Sequence, residues 1–256
     1  MAERLCDAFD DAYVDSLAEK LAAVTPDFAA TDFRTALHGK LAALPFLARM
    51  DTLAAALNAH LPGNFAAKTA AFRQIWGAEL PGETGMFSIG GWLWPIARYA
   101  EHHGNEDFST AVAFIRDLTC RHTGEFAVRP LLVTRPDAML AIMTEWSHDP
   151  SVHVRRLASE GLRIRLPWAK KLTLALERFN AVRVILSTLK EDTSRFVQKS
   201  VGNNLNDLYK EAPALAEALV SEWETAPTLS AAARWVIRHG RRNFTRTCLS
   251  TPLPRP

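Results

Sequence analysis

Apolar residues recur along this chain at intervals of three and four, and prolines and glycines interrupt the recurrence. Leu, Ala, Phe and Val keep that spacing through residues 3–24 and again through 31–61, with Pro26, Pro45 and the Pro62-Gly63 pair as breaks. Asp15-Ser16 and Thr31-Asp32 are candidate N-caps, and Leu53 to Leu57 is rich in strong helix formers. No sustained alternation of β-branched residues occurs, so strands are not expected. From residue 107 a rhythm of paired helices sets in. Residues 108–120 are followed by 124–132, 139–146 by 152–162, 182–189 by 194–208, and 214–223 by 229–238. The glycine-rich stretch 81–91 reads as a turn between helices. No Lys-Ser/Thr pair follows it and no strand precedes it, so it lacks the setting of a phosphate cradle. Trp92 and Trp94 beside it read as packing residues. Residues 245–256 hold three prolines and few apolar positions, which predicts a disordered tail.

The second helices of these pairs share a weak theme. Val128-Arg129-Pro130-Leu131, Val154-Arg155-Arg156-Leu157 and Val197-Gln198-Lys199-Ser200 can be laid over one another, with Ala233-Arg234-Trp235 as a poorer fourth. Val197 follows Val154 by 43 residues, and Asp192 follows Asp149 by the same interval. That period belongs to HEAT or armadillo arrays, although the interval from Val128 to Val154 is shorter. The expected fold is all-α, a curved α-solenoid of HEAT-like helix pairs, as a single domain over residues 1–244.

Length and composition suit a soluble globular protein with a substantial core. No apolar run reaches the roughly 20 residues that span a bilayer, and the acidic, amphipathic N-terminus is unlike a signal peptide. Cys6, Cys120 and Cys248 are far apart and odd in number, which argues against a disulfide framework and suits a reducing cytosol. His102-His103 and Cys120-Arg121-His122 fit no zinc spacing, so neither a metal nor another cofactor is expected. The net charge of +2 hides an asymmetry. Residues 1–150 carry 12 Lys+Arg against 19 Asp+Glu, whereas residues 151–256 carry 18 against 9. A basic half on a nearly neutral chain suggests a polyanionic partner. A solvated basic face without a ligand accounts for the composition equally well.

The basic half opens on Glu145 to Trp168. Asp149 or Ser151 can start a helix there, Val154, Leu157 and Ala158 give it a buried stripe, and Gly161 and Pro167 end it. Arg155, Arg156, Arg163 and Arg165 surround one acid, Glu160. On its own this stretch reads as an exposed helix with an Arg156–Glu160 pair worth a few tenths of a kcal/mol.

Three blocks carry more. Thr123-Gly124-Glu125-Phe126-Ala127-Val128-Arg129-Pro130, then His153 to Gly161 with Leu166-Pro167-Trp168, then Ser200-Val201-Gly202-Asn203-Asn204-Leu205-Asn206-Asp207 resemble the AlkC-like branch of the HEAT-like repeat DNA alkylation-repair glycosylases. The resemblance runs from about residue 5 to about residue 240. Arg238 to Phe244 departs from the family pattern, and the immunoglobulin-like C-terminal domain that some members carry is not expected here. The resemblance implies a DNA-3-methyladenine-type glycosylase of the cytoplasm that acts as a monomer on duplex DNA, with no membrane, metal or cofactor. Such an enzyme hydrolyses the N-glycosidic bond of N3-alkylated cationic bases, 3-methyladenine first and 3-methylcytosine second. It implies Glu125, Glu160 and Asp207 as catalytic acids, Phe126 and Trp168 as lesion contacts, and Arg155, Arg156, Arg163, Arg165, Lys199 and Asn203 as DNA-binding residues. Each has a plainer reading. Glu125 can cap a helix, Asp207 can pair with Lys210 at i,i+3, and Phe126 and Trp168 can be core. The competing function is a non-catalytic HEAT-like scaffold that binds nucleic acid or an acidic protein.

Overall fold

The computed structural model describes residues 5–225 and 227–244, so the tail expected over 245–256 lies outside the described residues. Every regular element among the described residues is a helix, as the apolar spacing predicts. They fall into two compact units, 1–131 and 132–256.

The first unit holds α1 (Asp11–Val24), α2 (Ala30–Leu37), α3 (Phe46–His60), α4 (Phe65–Ile75), α5 (Trp94–His103) and α6 (Phe108–Thr119). Local chemistry sets their starts. The Asp10 carboxylate accepts from the Tyr13 N–H and caps α1, whereas the expected cap Asp15 instead pairs with Arg34 and His38. Asn64 caps α4 and Asp107 caps α6 in the same way. Thr31 and Asp32 lie inside the first turn of α2, where the Asp32 charge faces the positive end of the helix dipole. The break at Pro45 divides 31–61 into α2 and α3. Sequence spacing did not reveal α4 and α5. The glycine-rich turn that follows α4 is present as expected, and Trp94 is buried beside it. The core is aromatic: Phe65 stacks on Tyr99, and Phe72 meets Tyr99 edge-on.

α7 (Val128–Thr134) leads into the second unit, and Gly124 and Glu125 form a turn before it, not its first residues. Here α8 (Pro136–Trp146) pairs with α9 (Val152–Glu160). After a short α10 (Leu174–Glu177), α11 (Phe179–Leu189) is followed by α12 (Arg195–Glu211), and α13 (Pro213–Glu224) by α14 (Ala231–Gly240), with α13 and α14 both packed on α12. These are the pairs the rhythm predicts. The second helices lie side by side, since α12 packs on both α9 and α14. Val154, Leu157, Val197, Val201, Leu205 and Val236 are buried between them, each contributing about 1.5–3 kcal/mol on leaving water.

The 43-residue period is written into equivalent hydrogen bonds. Asp149 accepts from the Ser151 N–H at 2.8 Å, and Asp192 accepts from the Ser194 N–H at 2.8 Å. The Arg155 side chain reaches back to the Asp149 carbonyl, and Gln198, at the equivalent place, reaches the Asp192 carbonyl. Arg155 goes further and grips the Asp192 carboxylate at 2.6 Å, tying one pair to the next.

Candidate active site

Helix α12 carries the signal that sequence reasoning passed over. Ser200, Asn204 and Asp207 recur at helical spacing and form a buried polar stripe beside the buried Val197, Val201, Leu205 and Leu208. Buried polar groups need partners, and these find them on α9 and the loop after it. Asn204 Nδ2 donates to the Ser159 and Ser200 carbonyls at 2.9 and 3.1 Å, so this amide is satisfied by backbone. The Ser159 hydroxyl donates to Ser200 Oγ at 2.7 Å, and Ser200 Oγ donates to Glu160 Oε2 at 2.6 Å.

Glu160 is only 5% exposed, which overturns the picture of a surface pair with Arg156. It is the last residue of α9, and Gly161 caps the helix with an ordinary right-handed backbone. Arg156 lies 3.7 Å from Oε1, and Arg163 donates to the same oxygen at 3.1 Å. Burial pushes the Glu160 carboxyl up. Arg156, Arg163 and the Ser200 hydroxyl outweigh that and hold it below the usual carboxylate value, so it is charged at neutral pH.

Arg163 joins two acids. Its Nε and Nη2 donate to Asp207 at 3.1 and 3.3 Å while Nη1 serves Glu160. Asp207, 3% exposed, also accepts the Arg165 backbone N–H at 3.1 Å. The expected i,i+3 pair of Asp207 with Lys210 does not form; the carboxylate is held by the half-buried Arg163 instead. Of the sequence-predicted set, the second unit therefore brings Glu160, Asp207, Arg156 and Arg163 together. Arg156 also lies over the Phe196 ring, 4.8 Å from its centroid. Arg165 pairs with Glu211, as does Lys171. Arg155 is committed to Asp192, away from this cluster of acids. Asn203 Oδ1 accepts from His239 and Arg242, and Lys199 is exposed on the same helix.

Trp168 lies on the loop that carries Arg163 and Arg165. It is 55% exposed and has φ 62°, the left-handed region that costs a bulky residue about 1–3 kcal/mol. It is not core. In the first unit, Glu125 is buried and accepts from the Thr123 hydroxyl at 3.0 Å. Phe126 is buried and stacks on Trp94, 6.0 Å between centroids. His122, beside the same Trp94, bonds the Gly90 carbonyl through Nδ1, and burial pushes its imidazole down to about 4. Among the described residues no three His, Cys, Asp or Glu side chains gather into a metal set, and no helix is long and apolar enough to cross a membrane.

Known proteins resemble this chain in sequence and in fold. It is 38% identical over 147 residues to the uncharacterized protein YhaZ of Bacillus subtilis (strain 168), a match covering 57% of this chain and 40% of YhaZ. A solved structure, Pseudomonas fluorescens alkylpurine DNA glycosylase AlkC bound to DNA containing an abasic site analog, superposes with a TM-score of 0.81 at 31% identity. That match covers 94% of this chain and 65% of the AlkC chain, so this chain spans less than two thirds of both relatives. The family model for DNA alkylation repair enzymes matches residues 115–244, which include Glu125, Glu160 and Asp207. With that match over half of its length, the chain belongs to the DNA alkylation repair enzyme family.

Proposed function

We propose that the chain is a DNA glycosylase. It hydrolyses the N-glycosidic bond of N3-alkylated, cationic bases in duplex DNA, 3-methyladenine first. The observation that carries this reading is the pair of buried carboxylates, Glu160 and Asp207, held by one guanidinium. Alkylation of a ring nitrogen makes the base a cation that leaves as a neutral molecule, so no acid is needed to protonate it. What remains is a positive charge on the sugar. Preorganised carboxylates stabilise that oxocarbenium-like transition state and orient the attacking water. Arg163 fixes both acids in place and offsets part of their charge, so the site does not repel phosphates.

Glu125 enters as the third acid, and Phe126 beside it as a lesion contact, by resemblance. Trp168 offers an exposed ring face for a cationic base, a contact worth roughly 0.5–2 kcal/mol. Its backbone lies in the left-handed region, and such conformations cluster at functional sites, which supports a functional role.

Incubation with methylated duplex DNA and analysis of the released bases tests the proposal. Release of 3-methyladenine by the natural protein, lost in Glu160→Gln, supports it. No release of any alkylated base, with duplex binding intact, would leave the scaffold reading in its place.

A further inference from the structure

Several arginines of the second unit are already neutralised by carboxylates. Arg155 holds Asp192, Arg163 holds Glu160 and Asp207, Arg165 holds Glu211, Arg183 holds Glu222, and Arg241 holds Glu217. A guanidinium so engaged has to give up its acid before it can neutralise a phosphate. The cations available for DNA are those without a carboxylate, and two of them stand close together on neighbouring elements. Lys199 is exposed on α12. Arg242 is exposed on the 3-10 turn Arg241–Asn243 that follows α14. Neither forms an ion pair with a carboxylate among the described residues.

A small polar framework joins them. Arg242 Nη2 donates to Asn203 Oδ1 at 3.0 Å, and His239 Nε2 donates to the same oxygen at 3.2 Å. The amide oxygen is thus occupied twice, and the two amide N–H groups of Asn203 point elsewhere, with no partner among the described residues. Arg242 Nη1 bonds the His239 carbonyl, which holds its side chain back along the helix end. The His239 ring stacks flat on Trp235, 4.8 Å between centroids, and Arg195 lies 4.0 Å over the Trp235 ring. Two glycines permit this. A Cβ on Gly202 would meet His239 Cδ2 at 2.7 Å, and a Cβ on Gly240 would meet Leu205 Cδ2 at 2.5 Å. They let α14 settle on α12 and bring His239 against the turn of α12 that bears Lys199 and Asn203.

The cluster adjoins the acids. Arg242 is disfavoured as a cation by burial first and then by Arg163, with Asp207 opposing, and His239 by burial first and then by Arg242 and Lys199. A group of donors this crowded with positive charge lacks an anion.

We propose that Lys199, Asn203, His239 and Arg242 form a receptor for two successive DNA backbone phosphates beside the Glu160–Asp207 pair. It rests on the reading of the chain as a DNA-acting protein. Lys199 and Arg242 supply charge, Asn203 supplies neutral N–H donors, and His239 orients Asn203. Phosphate contacts of this kind fix where the strand lies and carry no sequence preference.

The experiment is equilibrium binding of a fluorescently labelled, undamaged DNA duplex over a range of NaCl concentrations. Lys199→Gln and Arg242→Gln should each make the slope of log K against log salt shallower by about 0.9, the value for a single phosphate no longer neutralised. Arg183→Gln removes the same charge from α11, where Arg183 is paired with Glu222, and should leave the slope alone. Asn203→Ala should weaken binding several-fold at every salt concentration, with little change in slope. If Lys199→Gln and Arg242→Gln follow Arg183→Gln, the receptor does not exist. Thermal melting of each variant shows whether it is folded when measured. Base release is scored separately. Shallower slopes without base release would overturn the glycosylase reading and keep the receptor; base release with unmoved slopes would overturn the receptor alone.

Discussion

Glu160 and Asp207 are both buried carboxylates, yet substitution should affect them differently. Glu160→Gln keeps an acceptor for Arg163 and removes the charge. Single-turnover base release should fall by on the order of a hundredfold, roughly 3 kcal/mol, the scale of losing one preorganised electrostatic group. DNA affinity should hold or rise. Normal release by this variant would remove Glu160 from the catalytic set. His122 provides a pH prediction of a different kind. Its imidazole is at about 4 in the folded chain and near 6.5 unfolded. The folded value is depressed, so its neutral burial contributes fully above 6.5, and the contribution is lost as pH falls towards 4. Between pH 7 and pH 5 urea melts should lose about 2 kcal/mol. His122→Asn, which can keep the bond to the Gly90 carbonyl, should remove most of that difference. The Glu160 carboxyl, held below its usual value, titrates beneath this window.

At the scale of elements, the connection between repeats is more informative than the helices. Arg155→Ala should cost about 3 kcal/mol, because it leaves the buried Asp192 carboxylate without its partner. It should leave the salt dependence of DNA binding unchanged. A shallower slope instead would show that Arg155 meets a phosphate as well as Asp192. Gly240→Ala should cost roughly 1–3 kcal/mol, since the added methyl meets Leu205, fully buried with nowhere to move. A melt equal to that of the natural chain would mean that α14 can retreat. Such features explain what was legible beforehand. Helix pairs and the 43-residue period are local or nearly local patterns, and Val154 and Val197 announced them. The arginine roles were not legible, because Arg155, Arg163 and Arg165 find their acids 37, 44 and 46 residues away. A cluster of charge in sequence looks the same whether it faces phosphate or carboxylate. Asp207 was chosen by resemblance, and only the stripe of Ser200, Asn204 and Asp207 pointed to it physically. The helix α4 was hidden despite its Asn64 cap, because the glycine- and tryptophan-rich segment after it favours turns.

For the whole molecule, charge is the property that binding measurements will meet first. Residues 151–256 carry nine more Lys+Arg than Asp+Glu, 18 against 9. The nine acids offset half of the 18 cations, so at most nine are left for phosphates. If Lys199 and Arg242 alone met phosphates, the slope of log K against log salt would be near −1.8; all nine excess charges would give about −8. The expected outcome is the shallower value, measured on undamaged duplex across about 50–200 mM NaCl. A slope near −8 would mean that every cation the acids leave unpaired meets a phosphate.

The hydroxyls of Ser159 and Ser200 have a consequence of their own. They now point one way: Ser159 donates to Ser200, and Ser200 donates to the Glu160 carboxylate. Each hydroxyl can turn, and the Arg156 carbonyl lies 3.0 Å from Ser159 Oγ as a second acceptor. An amide N–H at position 160 would therefore reverse the whole row, with Ser200 donating to Ser159 and Ser159 to the carbonyl. No hydrogen bond in the row disappears on reversal; only its direction changes. Glutamine at 160 is thus accommodated by two rotating protons, whereas alanine would strand Ser200 and one arm of Arg163. The row acts as a reversible polarity track, and it separates the charge of residue 160 from its place in the fold.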